Sequence, residues 1–331
     1  MRISEILPTS LRPPRAGPIL PLGAVSFGML PIVVVLLAAC ADEWPLPPDI
    51  DPALLASEHL DWQEYRRGRL VEPPSGAVIW VGLWDLPEGA VSFGTDTELP
   101  IALPAESGPR VAGTLRRSGR TVTLEPEPGS TLVLEDGTAI ADDTAIFEEG
   151  SDAVPFYGIG SLGMRVHSEP GTDRLWLRAW DEEHPSRETF QLPPFFPVEE
   201  EWVVPARFDA YAEARPLTVP DVTGGFVEYQ ARGELVFRKD DREHRLIATA
   251  GETSSRFFVM IWDSTAVTET YQGGRYLQVD FPDEEGWTTI DFNRTYNAPC
   301  VFTPYSVCAL PPRQNWLDMW VNAGEKRPDE A

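Results

Sequence analysis

Between Asp291 and Asn315 the chain reads DFNRTYNAPCVFTPYSVCALPPRQN, which crowds a carboxylate, two guanidiniums, two phenols, several amides, two cysteines and a proline pair into one segment. No strand or helix needs that inventory for its own folding. Two polar clusters precede it: Asp263-Ser264-Thr265 at the end of an apolar run, and Thr268 to Arg275 (TETYQGGR), which predicts a tight turn at Gly273-Gly274. If these strand ends meet at one rim of a β module, Asp263, Thr265, Tyr271, Arg275, Asp291, Asn293, Arg294, Tyr296 and Asn297 converge on a pocket with the Cys300 to Cys308 loop folded across it. Two carboxylates, two guanidiniums and two phenols can bind a small polar ligand. They can equally supply a hydrolase with a general base, Asp263 or Asp291, and an anion clamp, Arg275 and Arg294. The same groups can also close on one another as a buried ion-pair network that fixes an irregular loop. Residue types alone do not choose among these.

Other chemistries find little support. Gly158-Ile-Gly160-Ser-Leu-Gly163 has dinucleotide-loop spacing, but a strand-like segment and Pro170-Gly171 follow where a helix N-terminus must hold the pyrophosphate, so it reads as a turn. There is no G-x-S-x-G nucleophile elbow. His59, His167, His184 and His244 show no spacing that would complete a metal site with Cys300 and Cys308, and neither metal nor cofactor is expected. Acid runs such as Glu199 to Glu201 and Asp283 to Glu285 lack the spaced oxygens of a calcium loop.

The N-terminus places the protein in a compartment. Arg2, Arg12 and Arg15 precede an apolar run from Gly23 to Ala39 that ends Leu37-Ala38-Ala39-Cys40, the pattern of an export signal over residues 1–39 followed by a lipidated cysteine at 40. A short membrane-spanning anchor fits less well, because Pro31 interrupts the run. Acylation of Cys40, with palmitate for example, would hold the protein to the membrane at the cell envelope. Ala41, where inner-membrane retention uses aspartate, points to the outer membrane or cell surface. In that oxidising compartment Cys300 and Cys308 are expected to form a disulfide. The whole chain carries a formal net charge of −25. Loss of residues 1–39 removes three arginines and one glutamate and leaves about −27. Nucleic acid is therefore excluded as a partner, since no basic face exists to displace its counterions.

These groups need a scaffold, and the pattern predicts β structure. Residues 40–75 read as a lipidated tether followed by a single helix over Pro52 to Arg69, with Leu54, Leu55, Trp62 and Tyr65 able to share a face. From residue 76 short apolar or alternating runs recur between Gly, Pro and Asp turns, the signature of antiparallel sandwiches. Two antiparallel sandwich or barrel-like modules are expected, 76–190 and 191–331, divided at QLPPFFPVEEE (191–201). The first faintly resembles a forkhead-associated sandwich but lacks its phosphothreonine-reading arginine and histidine. In the second, Val259, Ile261 and Asp263 alternate with Phe258, Met260 and Trp262, which predicts a strand buried on both faces.

The succession TETYQGGRYLQVDFP, DFNRTYNAPCVFTPYSVCALPPRQNWL and NAGEK (322–326) resembles the domain of unknown function family numbered 1684, whose members read close to TYGGGRYL, DFNRAYNPPCAF, CPLPP and AGEK. LPEGAVSFG within Trp80 to Gly94 and Arg178-Ala-Trp-Asp181 extend the resemblance over about Trp62 to Lys326. This sequence departs at Gln272, Ala298 and Ala309, none of which removes a candidate polar group. The resemblance implies no established activity. Because members are not all exported, it leaves the cysteine pair open between a staple and a site.

Overall fold

The computed structural model describes residues 44–46, 48–151, 155–169 and 171–328. Residues 1–39, expected to be an export signal, and Cys40 lie outside the described residues. Pro45–Ala331 form one compact unit.

Helix α1 (Pro52–Val71) begins where the Asp51 carboxylate accepts the Ala53 N–H at 2.9 Å and Pro52 occupies a first-turn position with no N–H to satisfy. Its buried stripe is Leu55, His59, Arg66 and Leu70, spaced at helical period, while Leu54 and Tyr65 are exposed. The expected apolar face is thus rotated: the helix buries a histidine and an arginine because the surface it packs against offers them aromatic rings and a carboxylate.

Ten strands follow: β1 (Trp80–Asp85), β2 (Gly89–Gly94), β3 (Ile101–Ala102), β4 (Gly113–Ser118), β5 (Thr121–Pro126), β6 (Val133–Leu134), β7 (Thr144–Glu148), β8 (Tyr157–Ile159), β9 (Leu162–Ser168) and β10 (Leu175–Asp181). They make two five-stranded sheets, ordered β1-β10-β9-β8-β6 and β3-β2-β4-β5-β7, in which all pairings but β2–β3 are antiparallel. Alternation turns Leu175, Leu177 and Ala179 of β10 towards Val91 and Phe93 of β2 and Leu115 of β4, giving one core between the sheets. The architecture here is a sandwich.

After the short helix α2 (Ser186–Thr189) come β11 (Val203–Pro220), β12 (Phe226–Lys239), β13 (Arg242–Thr249), β14 (Arg256–Asp263), β15 (Arg275–Asp280), β16 (Trp287–Asp291), β17 (Tyr296–Asn297) and β18 (Trp316–Leu317). They form an eight-stranded sheet ordered β16-β11-β12-β13-β14-β15-β17, with β18 parallel to β14. The sheet curls until β16 lies beside β15, where the Thr288 hydroxyl donates to the Asp280 carbonyl at 2.9 Å. Phe257, Val259, Ile261, Leu277, Val279 and Ile290 point into the enclosed core. Each such side chain contributes about 1.5–3 kcal/mol by leaving water. Strand β14 is covered on both faces, as its pattern required, since Met260 is buried in a second apolar cluster. The mainly β fold with one long N-terminal helix follows the sequence expectation. The longest strand, β11, does not: its run Asp209 to Leu217 is largely exposed and holds Pro216, so no alternation marks it.

Candidate functional site

The nine candidate residues separate into a buried latch, two structural amides, a tyrosine turn and one side of a cleft.

The latch is Asp263 and Arg275. Asp263 ends β14 and Arg275 opens β15; their side chains are almost fully buried and meet at 3.0 Å. The second Asp263 oxygen accepts from the Thr265 hydroxyl (2.6 Å), the Thr265 N–H (3.1 Å) and the Val321 N–H (3.0 Å). Arg275 donates to the carbonyls of Val321 (3.0 Å), Ala323 (2.5 Å) and Glu325 (3.2 Å). All these partners are protein groups, and most belong to the last irregular segment, residues 321–325. Asp263, Thr265 and Arg275 therefore hold the C-terminal strap in place and do not open onto a ligand site. An irregular strap has no sheet partner for its carbonyls, and a buried guanidinium fork satisfies three at once.

Asn293 and Asn297 do the same for other backbone segments. Asn293 exchanges hydrogen bonds with the backbone of Glu199, its Nδ2 donating at 3.0 Å and its Oδ1 accepting at 3.1 Å, and so pins the proline-rich connector. Asn297 donates from Nδ2 to the Lys326 carbonyl at 2.8 Å. Tyr271 packs over the turn before β15; a Cβ on Gly273 would strike its ring, and Gly274, at φ +88°, would set a Cβ 2.5 Å from the Ile261 carbonyl.

Cys300 and Cys308 form the expected disulfide, with Cα atoms 6.2 Å apart. The loop they close does not lie across the cleft. The Val222 N–H donates to the Cys308 carbonyl (3.0 Å) and the Leu310 N–H to the Pro220 carbonyl (2.8 Å), which staples the loop to the β11–β12 turn; only neighbouring Pro299 reaches the cleft.

Asp291, Arg294 and Tyr296 do face open space, a cleft of about 850 Å³ between α1 and the outer face of the curled sheet. Its floor follows from strand periodicity: Arg256 and Phe258 of β14, Gln278 and Asp280 of β15, and Thr289 and Asp291 of β16 sit two residues apart on the face opposite the core. Its wall follows from helix periodicity: Trp62, Tyr65, Arg66 and Arg69 form one stripe of α1. The sequence reading missed the helical wall. Its signal was present in the i, i+3, i+4, i+7 spacing, but nothing in the helix itself says what it faces.

The charges are unevenly matched. Arg256 pairs with Asp280 at 2.6 Å. Arg294 meets Asp291 at 3.1 Å and Glu58 of α1 at 3.4 Å. Arg66 lies 4.6 Å over the Tyr296 ring and pairs with Glu325, a carboxylate of the strap, at 2.8 Å. Arg69 is exposed and has no ion-pair or hydrogen-bond partner among the described residues. The Asp291 carboxyl accepts the Asn293 N–H and Nδ2–H, both at 3.0 Å; burial nevertheless pushes its pKa above the ordinary aspartate value, against the pull of Asn293 and Arg294. Behind this wall His59 is buried between Trp62 and Phe195, neither ring nitrogen has a hydrogen-bond partner among the described residues, and burial with the Arg294 charge pushes its pKa down to about 4. Among the described residues no group of His, Cys, Asp and Glu could hold a metal ion.

No curated protein matches the chain. A solved structure that does match, the NMR structure of the uncharacterized protein from gene locus rrnAC0354 of Haloarcula marismortui, is 29% identical over 43% of this chain and 80% of its own. The TM-score of that pair is 0.36. The motifs at Trp80 to Gly94 and Arg178 to Asp181 lie outside the region that a family model covers. The latch, both structural amides, the disulfide loop and the cleft floor lie within it: residues 188–326 match the family described as Protein of unknown function (DUF1684).

Proposed function

We propose that this protein is a lipid-anchored component of the cell envelope that binds a small, polar, negatively charged ligand in the cleft between α1 and the curled sheet. The observation that carries the ligand class is the concentration of Arg66, Arg69, Arg256 and Arg294 around one cleft in a chain of net charge −25. One of them, Arg69, lacks a counter-charge among the described residues. Guanidiniums beside Trp62, Tyr65 and Tyr296 suit an anion with a flat or hydroxyl-rich body, which the rings and the Gln278 and Thr289 side chains can contact.

Native mass spectrometry of the protein purified from its own host tests the reading: a co-purifying small anion is expected, and it should be lost in Arg69→Gln with the fold intact by circular dichroism. Retention of the same molecule by Arg69→Gln would sink it. Membrane attachment is tested separately. Cys40→Ala should move the protein from the membrane to the soluble exported fraction, and the mature N-terminus should carry the mass of acyl chains.

A second reading, a hydrolase, draws on Asp291. A half-buried carboxylate of raised pKa beside Arg294 and an open cleft has the disposition of a general base with an anion clamp. It would appear as turnover abolished by Asp291→Asn while ligand binding persists. Asp263 and Arg275 have no part in either reading.

A further inference from the structure

Strands β9 and β10 are paired so that Arg165 stands directly opposite Arg178. Like charges at directly opposed positions destabilise a strand pair, and burial raises the cost because an unmatched charge loses its hydration. Arg178 is only 3% exposed. The Trp80 indole lies against its guanidinium, 4.1 Å from carbon to ring centre. Its Nη1 lies 3.3 Å from His167 Nδ1, and His167 Nε2 lies 2.6 Å from a Glu169 carboxylate oxygen. An arginine can only donate, so Nδ1 accepts, the neutral imidazole carries its proton on Nε2, and that proton is given to Glu169. Glu169 is thereby engaged with the imidazole. Among the described residues neither Arg165 nor Arg178 has a carboxylate within ion-pair distance, and the Nε of each is buried without a partner. Burial lowers the pKa of both, and the adjacent Arg165 charge helps bring Arg178 down to about 9.

In a chain with 52 acidic and 27 basic residues, two arginines at directly opposed positions, neither ion-paired and with Glu169 reaching Arg178 only through His167, are the reverse of what composition alone would place there. We propose that Arg165 and Arg178 form a binding site for a small oxyanion, a phosphate, sulfate or carboxylate group, that bridges the two guanidiniums and supplies the direct counter-charge neither receives from a carboxylate at ion-pair distance. Each planar fork can give an oxyanion two parallel hydrogen bonds, which an ammonium could not. The rings of Trp80 and Phe156, the latter 5.8 Å from Arg165, exclude competing water. Neither arginine lines the α1 cleft, so this site stands independently of the ligand proposed there.

The test is thermal denaturation of the full-length protein at fixed ionic strength, titrating sodium phosphate, sodium sulfate and sodium acetate against sodium chloride. At least one oxyanion should raise Tm saturably above chloride, and the three arms identify which. Arg165→Gln should weaken that response by about tenfold or more, and Arg110→Gln, a surface arginine outside both sites, should leave it unchanged. Arg165→Glu supplies an internal counter-charge, so it should raise Tm without added oxyanion and abolish the response. Arg178→Met should also abolish it; should that variant fail to fold, the two partly exposed Arg165 variants carry the test. The proposal is overturned if no oxyanion exceeds chloride, or if the response survives both Arg165 substitutions.

Discussion

Arg66 of α1 and Glu325 of the C-terminal strap are 259 residues apart in the chain and 2.8 Å apart in space. Between them they bracket one peptide: Arg66 Nη2 donates to the Asn297 carbonyl at 2.9 Å, and the Asn297 N–H donates to the other Glu325 oxygen at 2.8 Å. The wall of the cleft is thus bolted to its floor through the strap that Asp263 and Arg275 hold.

Removing one end of this bolt leaves the other charge buried without its counter-charge. Glu325→Ala is expected to cost about 3–5 kcal/mol in equilibrium urea denaturation, because it strands the Arg66 charge and the Asn297 N–H together. Arg66→Met combined with Glu325→Leu should cost less than the two single substitutions added, since the pair then leaves as a unit.

His59 predicts how stability depends on pH. Its folded pKa, about 4, lies below the ordinary histidine value of 6.5. The unfolded state therefore binds the proton more readily, and stability is lost as pH falls from about 6.5 towards about 4, by up to about 3 kcal/mol. His59→Phe keeps the ring against Trp62 and Phe195 and removes two unpartnered nitrogens. Denaturation midpoints measured at pH 7 and pH 4.5 should converge in that variant; an unchanged acid slope would show that His59 is not the group responsible.

Asp291 works in the opposite sense. Its pKa is raised by burial, so the folded state favours the protonated carboxyl, and the charged form at neutral pH is a cost relieved as pH falls through the folded pKa. Asp291→Asn should hold stability at pH 7 within about 0.5 kcal/mol of wild type, or raise it. A loss of several kcal/mol in the same denaturation experiment would make Asp291 a structural group.

The disulfide closes a loop of about nine residues, for which chain entropy gives about 2.5 kcal/mol of stabilisation. Cys300→Ser with Cys308→Ser should lower stability by about that amount. Hydrogen exchange should quicken first at Val222 and Leu310, whose N–H groups tie the loop to the β11–β12 turn. Protection unchanged at both amides would mean that the loop is held without the covalent link.

Much of the β structure was legible because alternation is local. Phe257 to Asp263 announces its two faces residue by residue, and the structure places Val259 and Ile261 in one core and Met260 in another. Strand β11 was illegible for the complementary reason. Its exposed half is stabilised by its ladder to β12, and backbone pairing leaves no mark on side-chain composition. Asn315 escaped notice in the same way: it donates to Ile247 and Met260 carbonyls and accepts from the Ile247 N–H, linking β13 and β14 at a place where a lone amide in a loop gives no sign of its partners.

By itself, then, the sequence determined the fold class and the density of polar groups between Asp263 and Asn315, and it carried the expectations of export and of a disulfide, the latter decided only by the structure. It could not divide the polar groups between structure and site. Asp263 and Asp291 are the same residue type at the ends of similar strands. One is sealed by Arg275 and the strap, and the other lies half-open beneath α1. That difference comes from which distant segment packs over each strand end. Desolvation and the reach of a guanidinium, both properties of tertiary packing, made the first carboxylate a fastener and left the second at a cleft.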